Sequence, residues 1–427
     1  MAPRCGILGV VSATVPGIAD RLEGTRARTH ELLAPLSSED LARQHTPLLS
    51  PPLWDLGHIA AYEELWLVTR LTGREPLHPE LADVYDAIET PRARRSEAPI
   101  LDAAAARGYL AEVRARALEA LDAADLSEEA DPLTAGGFVF DMVAQHEAQH
   151  TETVLQCLQM LPAGRYVPSS RRALSAPAED GGGWAEAGGE FAMGSPEGGF
   201  AYDCERPAHP RAVAPFLIAR DPVTCGEHLA FIEDGGYARR ELWTDAGWAW
   251  RTEGAIEAPL YWERDGGGGW TVRRFDRVEA VRPDEVLCHV SAHEADAHAA
   301  WAGARLPTEA EWELAAQGAA AEAGAANLDQ LAFAAGAAGA YDPAPSGCRG
   351  MLGDAWEWTS TRFGGYPGFR AFPYPEYAEV FFGPRFRVLR GGSWATQPIA
   401  ARVTFRNWDL PERRQIFSGL RLARDAA

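Results

Sequence analysis

Four stretches near the start of the chain place apolar residues on one side of a helix and polar residues on the other. They are residues 17–36, 50–71, 101–126 and 136–161. Their spacing predicts amphipathic helices, with Ser50 and Asp102 placed to cap the second and third and Pro51 as the first helical residue of the second. Helices of this length, joined by connections of varied length, predict a four-helix bundle over residues 17–168.

The pattern changes after the fourth helix. Residues 169–183 are rich in Ser, Ala, Pro and Gly and are predicted to be a linker. Residues 184–427 contain short strand-like runs, many Trp and Gly, and few long helices. No glycine run is followed by Lys and Ser or Thr, so no phosphate-binding loop is expected. The sequence therefore predicts an α+β protein with a helical first domain and a second domain built on short strands.

The 427-residue chain is strongly acidic, with 61 Asp and Glu against 40 Lys and Arg and a formal net charge of −21. Binding to nucleic acid or to an anionic membrane depends on Lys and Arg, so neither partner is expected. A cationic or zwitterionic small substrate is compatible with this charge. The chain has no run of about 18 apolar residues, so no membrane-spanning helix is predicted.

The six cysteines include no C-x-x-C pair, so neither a zinc knuckle nor a disulfide scaffold is indicated. A reducing cytoplasm is the expected location. Residues 1–16 superficially resemble a signal peptide. Because their apolar patch is interrupted by glycine and runs directly into a helical pattern, the cytoplasmic prediction stands and the role of these residues is left open.

Candidate chemistry centres on three histidines. His146 and His150 are four residues apart in the fourth helix, on the face that carries Val139 and Val143, so both point into the bundle. His58 lies on an apolar stripe of the second helix. The pattern predicts a metal site, because two histidines at this spacing can bind one ion. The alternative is a set of core histidines bonded to neighbours. Imidazole binds Zn, Fe, Cu and Ni alike, so the ligands alone do not select the metal.

The string "HEAQH" also matches the H-E-x-x-H motif of zinc peptidases, with Glu147 as the general base. The residues that follow, "TETVLQ", contain neither the glycine nor the third histidine of one peptidase class. The other class needs a glutamate ligand on a following helix, and here the predicted linker follows instead. A peptidase is therefore disfavoured. Glu152 is expected at the surface or behind the ligands.

Several phrases in the second half resemble one known domain. They are "GGEFAMGS", "ERPAHP", "PVTCGEHLAFI", "WAGARLPTEAEWELAA", "MLGDAWEWT", "RVLRGGSW" and "GLRLA". Together they resemble the formylglycine-generating-enzyme-type domain, a C-type-lectin-like fold. The first half resembles a DinB-like four-helix bundle. This fusion, with "SPPLWDLGHIAAYEELWL", "HEAQHTETVLQ" and "FRNWDLPERRQIFSGLRLA", is similar to the ergothioneine-biosynthesis sulfoxide synthases over nearly the whole chain.

The resemblance implies an Fe(II)- and O2-dependent enzyme that joins the thiol of γ-glutamylcysteine to imidazole C2 of hercynine (Nα-trimethylhistidine), giving a sulfoxide. It also implies roles for individual residues. The iron ligands would be His58, His146 and His150; the thiol substrate would be bound by Arg92, Arg95 and Asp409; hercynine would be bound by Gln149, Asn407 and Trp408; and Tyr374 and Tyr377 would be catalytic, with Tyr374 as the proton donor.

The sequence departs from the pattern of related families at two places. The stretch "ARVTFRNWDLPERRQIFSGLRLA" lacks the cysteine pair of true formylglycine-generating enzymes, so their oxidase activity is not expected. Ala-rich sequence follows the "RLPTEAEW" helix, which leaves a structural calcium site in doubt.

Three alternative functions stay open. The first is the same chemistry with cysteine or a selenosugar as the donor. The others are a DinB-type thiol S-transferase that uses zinc or nickel without O2, and a non-catalytic binding protein.

Overall fold

The computed structural model describes residues 17–176, 181–321 and 324–426. Residues 1–16, whose role the sequence left open, lie outside this range. Part of the predicted linker, residues 177–180, also lies outside it. The domain boundaries at residues 168 and 184 stay a prediction.

The first part of the chain is helical. Its helices are α1 (Ile18–Leu33), α2 (Ser38–Ala42), α3 (Pro52–Glu63), α4 (Ala82–Tyr85), α5 (Ala103–Ala123) and α6 (Phe138–Met160). The four long ones pack as a bundle, in which α1 lies against α6 and α3 lies against both α5 and α6. They correspond to the four helices predicted from the apolar pattern, and the two short ones lie in the connections.

Helix α3 begins one residue later than predicted and changes its winding at its end. Pro51 is the N-cap and Pro52 the first helical residue, while the side chain of Ser50 accepts a hydrogen bond from Arg95 instead. After Glu63 the helix continues as a π-helix over Glu64–Arg70. The predicted cap at Asp102 is present, since its carboxylate accepts hydrogen bonds from two backbone N–H groups of α5.

Within the described residues, the second part contains three small sheets and four short helices. Strands β1 (Trp184–Met193), β2 (His209–Ala219) and β10 (Ala423–Asp425) form the first sheet; β3 (Trp262–Arg264), β4 (Trp270–Arg274) and β5 (Arg277–Ala280) form the second; and β6 (Trp356–Arg362), β7 (Arg387–Arg390), β8 (Asn407–Asp409) and β9 (Ser418–Leu420) form the third. The helices are α7 (Cys225–Glu233), α8 (Asp245–Glu253), α9 (Ala292–Trp301) and α10 (Glu309–Ala316).

The first sheet joins the beginning and the end of the second part. β2 pairs antiparallel with both β1 and β10, so the first and last strands share one sheet. In the third sheet the order is β8-β7-β6-β9, with β6 and β9 parallel and the other pairs antiparallel. This sheet places β8, which carries Asn407, Trp408 and Asp409, at its edge.

Helix α6 joins the two parts. Glu152 on α6 is buried and accepts hydrogen bonds from Trp356 Nε1 at 2.6 Å, Ser393 Oγ at 2.9 Å and Thr396 Oγ1 at 2.8 Å. Of the two positions expected for Glu152, at the surface or behind the ligands, the surface position is wrong, because the far side of α6 faces the second domain rather than solvent. Apolar packing is also shared, since one buried cluster contains Phe138 of α6 together with Trp356. The helix that carries two of the histidines is therefore held by both domains.

Candidate metal centre

Three histidines converge between α3 and α6. One ring nitrogen from each of His58, His146 and His150 lies within 4.8 Å of the others. His58 Nε2 and His146 Nε2 are 3.2 Å apart, and the three ring centroids are separated by 4.5 to 5.0 Å. Because His146 and His150 are one helical turn apart, they present their rings on the same face of α6. The antiparallel packing of α3 brings His58 to the same level.

The donor set suits a metal ion. Burial lowers the pKa of His58 and His146 well below the usual value for histidine, and the neighbouring imidazoles lower both further. Both rings are therefore neutral near pH 7, as ligands must be. Three neutral nitrogen donors with no protein carboxylate or thiolate among them leave coordination positions for substrates. The residues present fit a three-histidine metal.

Two of the histidine rings are oriented by a hydrogen bond at Nδ1, on the side of the ring away from Nε2. His58 Nδ1 lies 2.6 Å from the backbone oxygen of Tyr85, and His150 Nδ1 lies 3.2 Å from Asp55 Oδ1. An N–H at each Nδ1 donates to these oxygens and leaves Nε2 free for a metal. Asp55 is 2% exposed and its other oxygen, Oδ2, has no hydrogen-bond partner among the described residues. Within the described residues, the Asp55 carboxylate therefore has His150 as its hydrogen-bond partner.

Replacing Asp55 with Asn is expected to weaken the binding of a divalent metal ion by about 10- to 100-fold, because a partner of this kind fixes the ring orientation and raises the basicity of the ligand. A competition titration against a chelator measures the affinity. Asp122→Asn, an exposed position on α5, serves as the control and should leave the affinity unchanged. An unchanged affinity in Asp55→Asn would contradict the role given to this carboxylate.

Glu147 does not occupy the place of a peptidase general base. Its carboxylate is 1% exposed and pairs with Arg26 Nε at 2.8 Å and Arg114 Nη2 at 3.3 Å. Thr29 Oγ1 donates a further hydrogen bond at 2.7 Å. Burial raises the pKa of this carboxyl, but the guanidinium groups of Arg26 and Arg114 and the hydrogen bond from Thr29 together outweigh that effect, so the net pKa is lowered. Glu147 is therefore a buried anion in the bundle core and not a proton acceptor at the metal.

Four tyrosines, two from each of two hydrogen-bonded chains, lie near the helices that carry the histidines. Tyr374 and Tyr377, both predicted, come from the segment between β6 and β7. Tyr374 Oη lies 2.9 Å from Tyr62 Oη. In the second chain, Tyr202 Oη donates to Gln149 Oε1 at 2.9 Å, and Gln149 Nε2 donates to Tyr377 Oη at 3.3 Å. Gln149 precedes His150 on α6, so the second chain is attached to the helix that carries two of the histidines.

The sequence identified neither Tyr62 nor Tyr202. Tyr62 follows His58 by four residues on α3, a spacing that places both on one face and that was available in the sequence. Its ring stacks on His146 with the centroids 3.6 Å apart and the planes at 11°. Tyr202 has no comparable signal, because its position depends on how the second domain packs against α6.

Trp408 forms part of an aromatic wall beside the tyrosines. It stacks on Phe363 with the centroids 4.1 Å apart and meets Tyr377 edge to face at 5.6 Å. Asn407, the neighbour of Trp408 on β8, accepts a hydrogen bond from the backbone of Trp408 at 2.9 Å. Of the residues predicted to bind hercynine, Gln149 and Trp408 therefore both contact Tyr377, and Asn407 is the neighbour of Trp408 on β8.

The two predicted arginines differ in their surroundings. Arg95 is buried, donates to Ser50 Oγ at 2.6 Å and to the backbone of Thr90 at 2.9 Å, and lies over the ring of Trp54 at 3.4 Å. Burial lowers the pKa of Arg95 to about 10. Trp54 in turn stacks on His58 with the centroids 4.8 Å apart. The guanidinium of Arg95 is thus engaged by groups of the protein itself, on the far side of Trp54 from His58.

Arg92 is exposed and belongs to the charged surroundings of Asp409. Burial raises the pKa of the Asp409 carboxyl above its usual value, and the guanidinium groups of Arg413 and Arg92 oppose that shift. Arg413, which the sequence did not identify, lies with Nε 3.6 Å from Asp409 Oδ1, and its Nη1 has no hydrogen-bond partner among the described residues. The structure therefore groups Arg92, Arg413 and Asp409, and sets Arg95 apart from them.

No helix within the described residues is both long enough and apolar enough to span a membrane.

Comparison with known proteins agrees with this architecture. The DinB superfamily model matches residues 21–154, and the model of the sulfatase-modifying factor enzyme 1-like domain matches residues 185–426. Both matches confirm the predicted fold class, an α+β protein with a DinB-like bundle before a formylglycine-generating-enzyme-type domain.

Three relatives have informative names. A hercynine oxygenase of Mycolicibacterium thermoresistibile is 44% identical over 96% of this chain and 94% of its own length. A hercynine oxygenase of Mycobacterium tuberculosis is 44% identical over 96% of this chain and 98% of its own length. Ergothioneine biosynthesis protein 1 of Neurospora crassa is 40% identical over 79 residues, which are 18% of this chain and 9% of that protein.

Proposed function

The chain belongs to the hercynine oxygenase family of oxidoreductases, and on that premise we propose that it is an Fe(II)- and O2-dependent sulfoxide synthase of ergothioneine biosynthesis. Its substrates would be hercynine, γ-glutamylcysteine and O2. The observation that carries the proposal is the convergence of His58, His146 and His150 next to a tyrosine cluster from the second domain.

The reaction balances with the named substrates alone. The C–H bond at imidazole C2 and the S–H bond break, a C–S bond forms, one oxygen atom of O2 becomes the sulfoxide oxygen, and the other leaves as water with the two hydrogens. Bound iron would supply the one-electron chemistry that O2 needs and a position for the thiolate sulfur. His58, His146 and His150 would hold that iron through their Nε2 atoms.

The residues of the chain bind and orient the organic substrates. Gln149 and Asn407 offer amide donors and acceptors to an imidazole. A trimethylammonium has no N–H to donate, so it is best met by aromatic faces such as that of Trp408. Tyr374 holds a hydroxyl proton at the edge of the centre and would give it to the reacting substrate. Tyr377, hydrogen-bonded to Gln149, would orient the hercynine side.

Charges around Asp409 support a thiol donor with carboxylates and an amine. Asp409 would bind the amine of γ-glutamylcysteine, and Arg92 a carboxylate, since guanidinium binds carboxylates well. Arg413 has a buried Nη1 without a partner in the described structure and would assist. Arg95 already donates hydrogen bonds to Ser50 and Thr90 and lies over the ring of Trp54. It would bind the substrate only through its remaining N–H groups.

The donor is tested by comparing kcat/KM for γ-glutamylcysteine, cysteine and a selenosugar, each with hercynine, and identifying the products by mass spectrometry. The proposal expects γ-glutamylcysteine to be preferred. A selenosugar needs no arginine, so a preference for that compound would redirect the assignment to the selenium chemistry that the sequence left open. Product formation without O2 would favour the thiol S-transferase alternative.

Arg92→Ala is expected to raise the KM for γ-glutamylcysteine by about 10- to 100-fold, because a hydrogen bond to a charged group contributes roughly 1.5–3 kcal/mol, and to leave the KM for hercynine unchanged. Arg94→Ala, an exposed neighbour in the same turn, is the matched control. Arg95→Ala should instead lower stability, through the lost bonds to Ser50 and Thr90. Full activity with γ-glutamylcysteine in both Arg92→Ala and Arg95→Ala would refute the proposed donor.

A further inference from the structure

Tyr62 connects the metal centre with the proposed proton donor. It stands on α3 one turn after His58, its ring stacks on His146 at 3.6 Å, and its hydroxyl lies 2.9 Å from that of Tyr374. Tyr374 comes from the other domain, so this hydrogen bond crosses the domain junction. One side chain therefore contacts a ligand of the metal and a group that would give up a proton there.

The winding of α3 helps to seat Tyr374. Directly after Tyr62 and Glu63 the helix becomes π-helical, and such wide turns are frequent at functional sites. In this arrangement Trp66 lies with its ring 5.3 Å from that of Tyr374 and 6.2 Å from that of Tyr62. The ring of Tyr374 thus packs against Trp66 while its hydroxyl meets Tyr62.

The proposed role of Tyr374 as a proton donor requires one direction of this hydrogen bond. A tyrosine hydroxyl has one proton to donate and can also accept. Within the described part of the chain, Tyr374 is the hydrogen-bond partner of the Tyr62 hydroxyl. If Tyr374 donated to Tyr62, its proton would be held in that hydrogen bond and could not be given to a substrate. If Tyr62 donates, the proton of Tyr374 is the one left free, and it can point at a substrate.

From this arrangement we infer that Tyr62 is a positioning residue, which donates a hydrogen bond to Tyr374 and so directs the proton of Tyr374 toward the reacting substrate. The inference deepens the proposed function and rests on it for the identity of the proton acceptor. Tyr62 itself loses no proton, and neither tyrosine changes its oxidation state in this role.

Tyr62→Phe tests the inference, because it removes the hydroxyl and keeps the ring on His146. The kcat is expected to fall about tenfold, a part of the roughly 10²- to 10⁴-fold that a placed proton donor contributes. Iron content and both KM values should stay at the wild-type level. Tyr166→Phe, the same deletion at a buried tyrosine that packs on Phe275, is the control and should keep the wild-type kcat.

A double variant separates positioning from a general structural effect. If Tyr62 acts through Tyr374, adding Tyr62→Phe to Tyr374→Phe should lower kcat no further, since residues that act as a unit are not additive. Independent, multiplying losses would overturn the inference. An unchanged kcat in Tyr62→Phe alone would overturn it as well, and so would a loss of iron, which would assign the effect to the stack on His146.

A measurement on the metal-free protein keeps this test apart from the proposed activity. In Tyr62→Phe, backbone amides around Tyr374, in residues 370–380, are expected to exchange with deuterium about fivefold faster, because the loop loses a hydrogen bond to α3. Tyr166→Phe should not change them. Unaltered exchange in Tyr62→Phe would refute the hydrogen bond. If the wild type formed no product, the proposed function would fail while this result would still decide on Tyr62.

Discussion

Replacing His146 with alanine is expected to abolish tight Fe(II) binding and to lower turnover by at least about 10³-fold. Loss of a group that is hydrogen-bonded to a metal ligand already lowers the metal affinity by about 10- to 100-fold. Loss of a ligand itself should lower the affinity further. In the proposed function, bound iron would also supply the chemistry that the protein side chains lack. Metal content after desalting and the rate of product formation measure both effects.

The control for this variant is His78→Ala, a partly exposed histidine of the helical domain that pairs with Glu80. It should bind iron and turn over as the wild type does. The fold should survive in His146→Ala, because the removed ring is held by stacking on Tyr62 rather than by a network of buried hydrogen bonds. A His146→Ala protein that kept one iron per chain and full activity would contradict the three-histidine assignment.

Replacing Glu147 with alanine is expected to lower the free energy of unfolding by about 3–5 kcal/mol, because it leaves two buried guanidinium groups with one of the two carboxylates that they share. Arg26 and Arg114 both pair with Glu147, and both also pair with Glu63. The remaining carboxylate cannot balance two cations in the bundle core. Urea unfolding of the metal-free protein measures the change without a contribution from metal binding.

Glu119→Ala provides the comparison, since Glu119 pairs with Arg74 at the surface, where both side chains are about half exposed. An exposed ion pair of this kind contributes about 0–1 kcal/mol. The peptidase interpretation of H-E-x-x-H makes the opposite prediction for Glu147: a general base could be removed with full loss of activity and little loss of stability. That outcome would contradict the structural role derived from the ion pairs.

Much of the fold follows from the sequence because the apolar pattern is local. The four long helices have a clear period of their own, and the i, i+4 spacing of His146 and His150 places them on one face without knowledge of the rest. The resemblance identified Tyr374, Tyr377 and Asp409, which no spacing rule reaches. Tyr62 could have been found by the same i, i+4 rule, applied to His58.

Other features depend on contacts between distant parts of the chain. Asp55 binds His150, which lies on another helix, so no spacing along the sequence reveals the pair. Glu152 reads as a surface residue until the second domain covers α6. Arg95 reads as a twin of Arg92, but it folds back onto Trp54 and Ser50. In each case tertiary packing, rather than local propensity, determines what the side chain contacts.

The central claim is that the chain, with iron held by three histidines, uses O2 to join a thiol to hercynine. The most direct test is to incubate the Fe(II)-loaded protein with hercynine and γ-glutamylcysteine under ¹⁸O2 and, in parallel, under nitrogen, with mass spectrometry of the products. The account predicts a coupled product that carries one ¹⁸O atom under ¹⁸O2 and no coupled product under nitrogen. A coupled product formed equally well under nitrogen, or none at all from protein that holds one iron per chain, would contradict it.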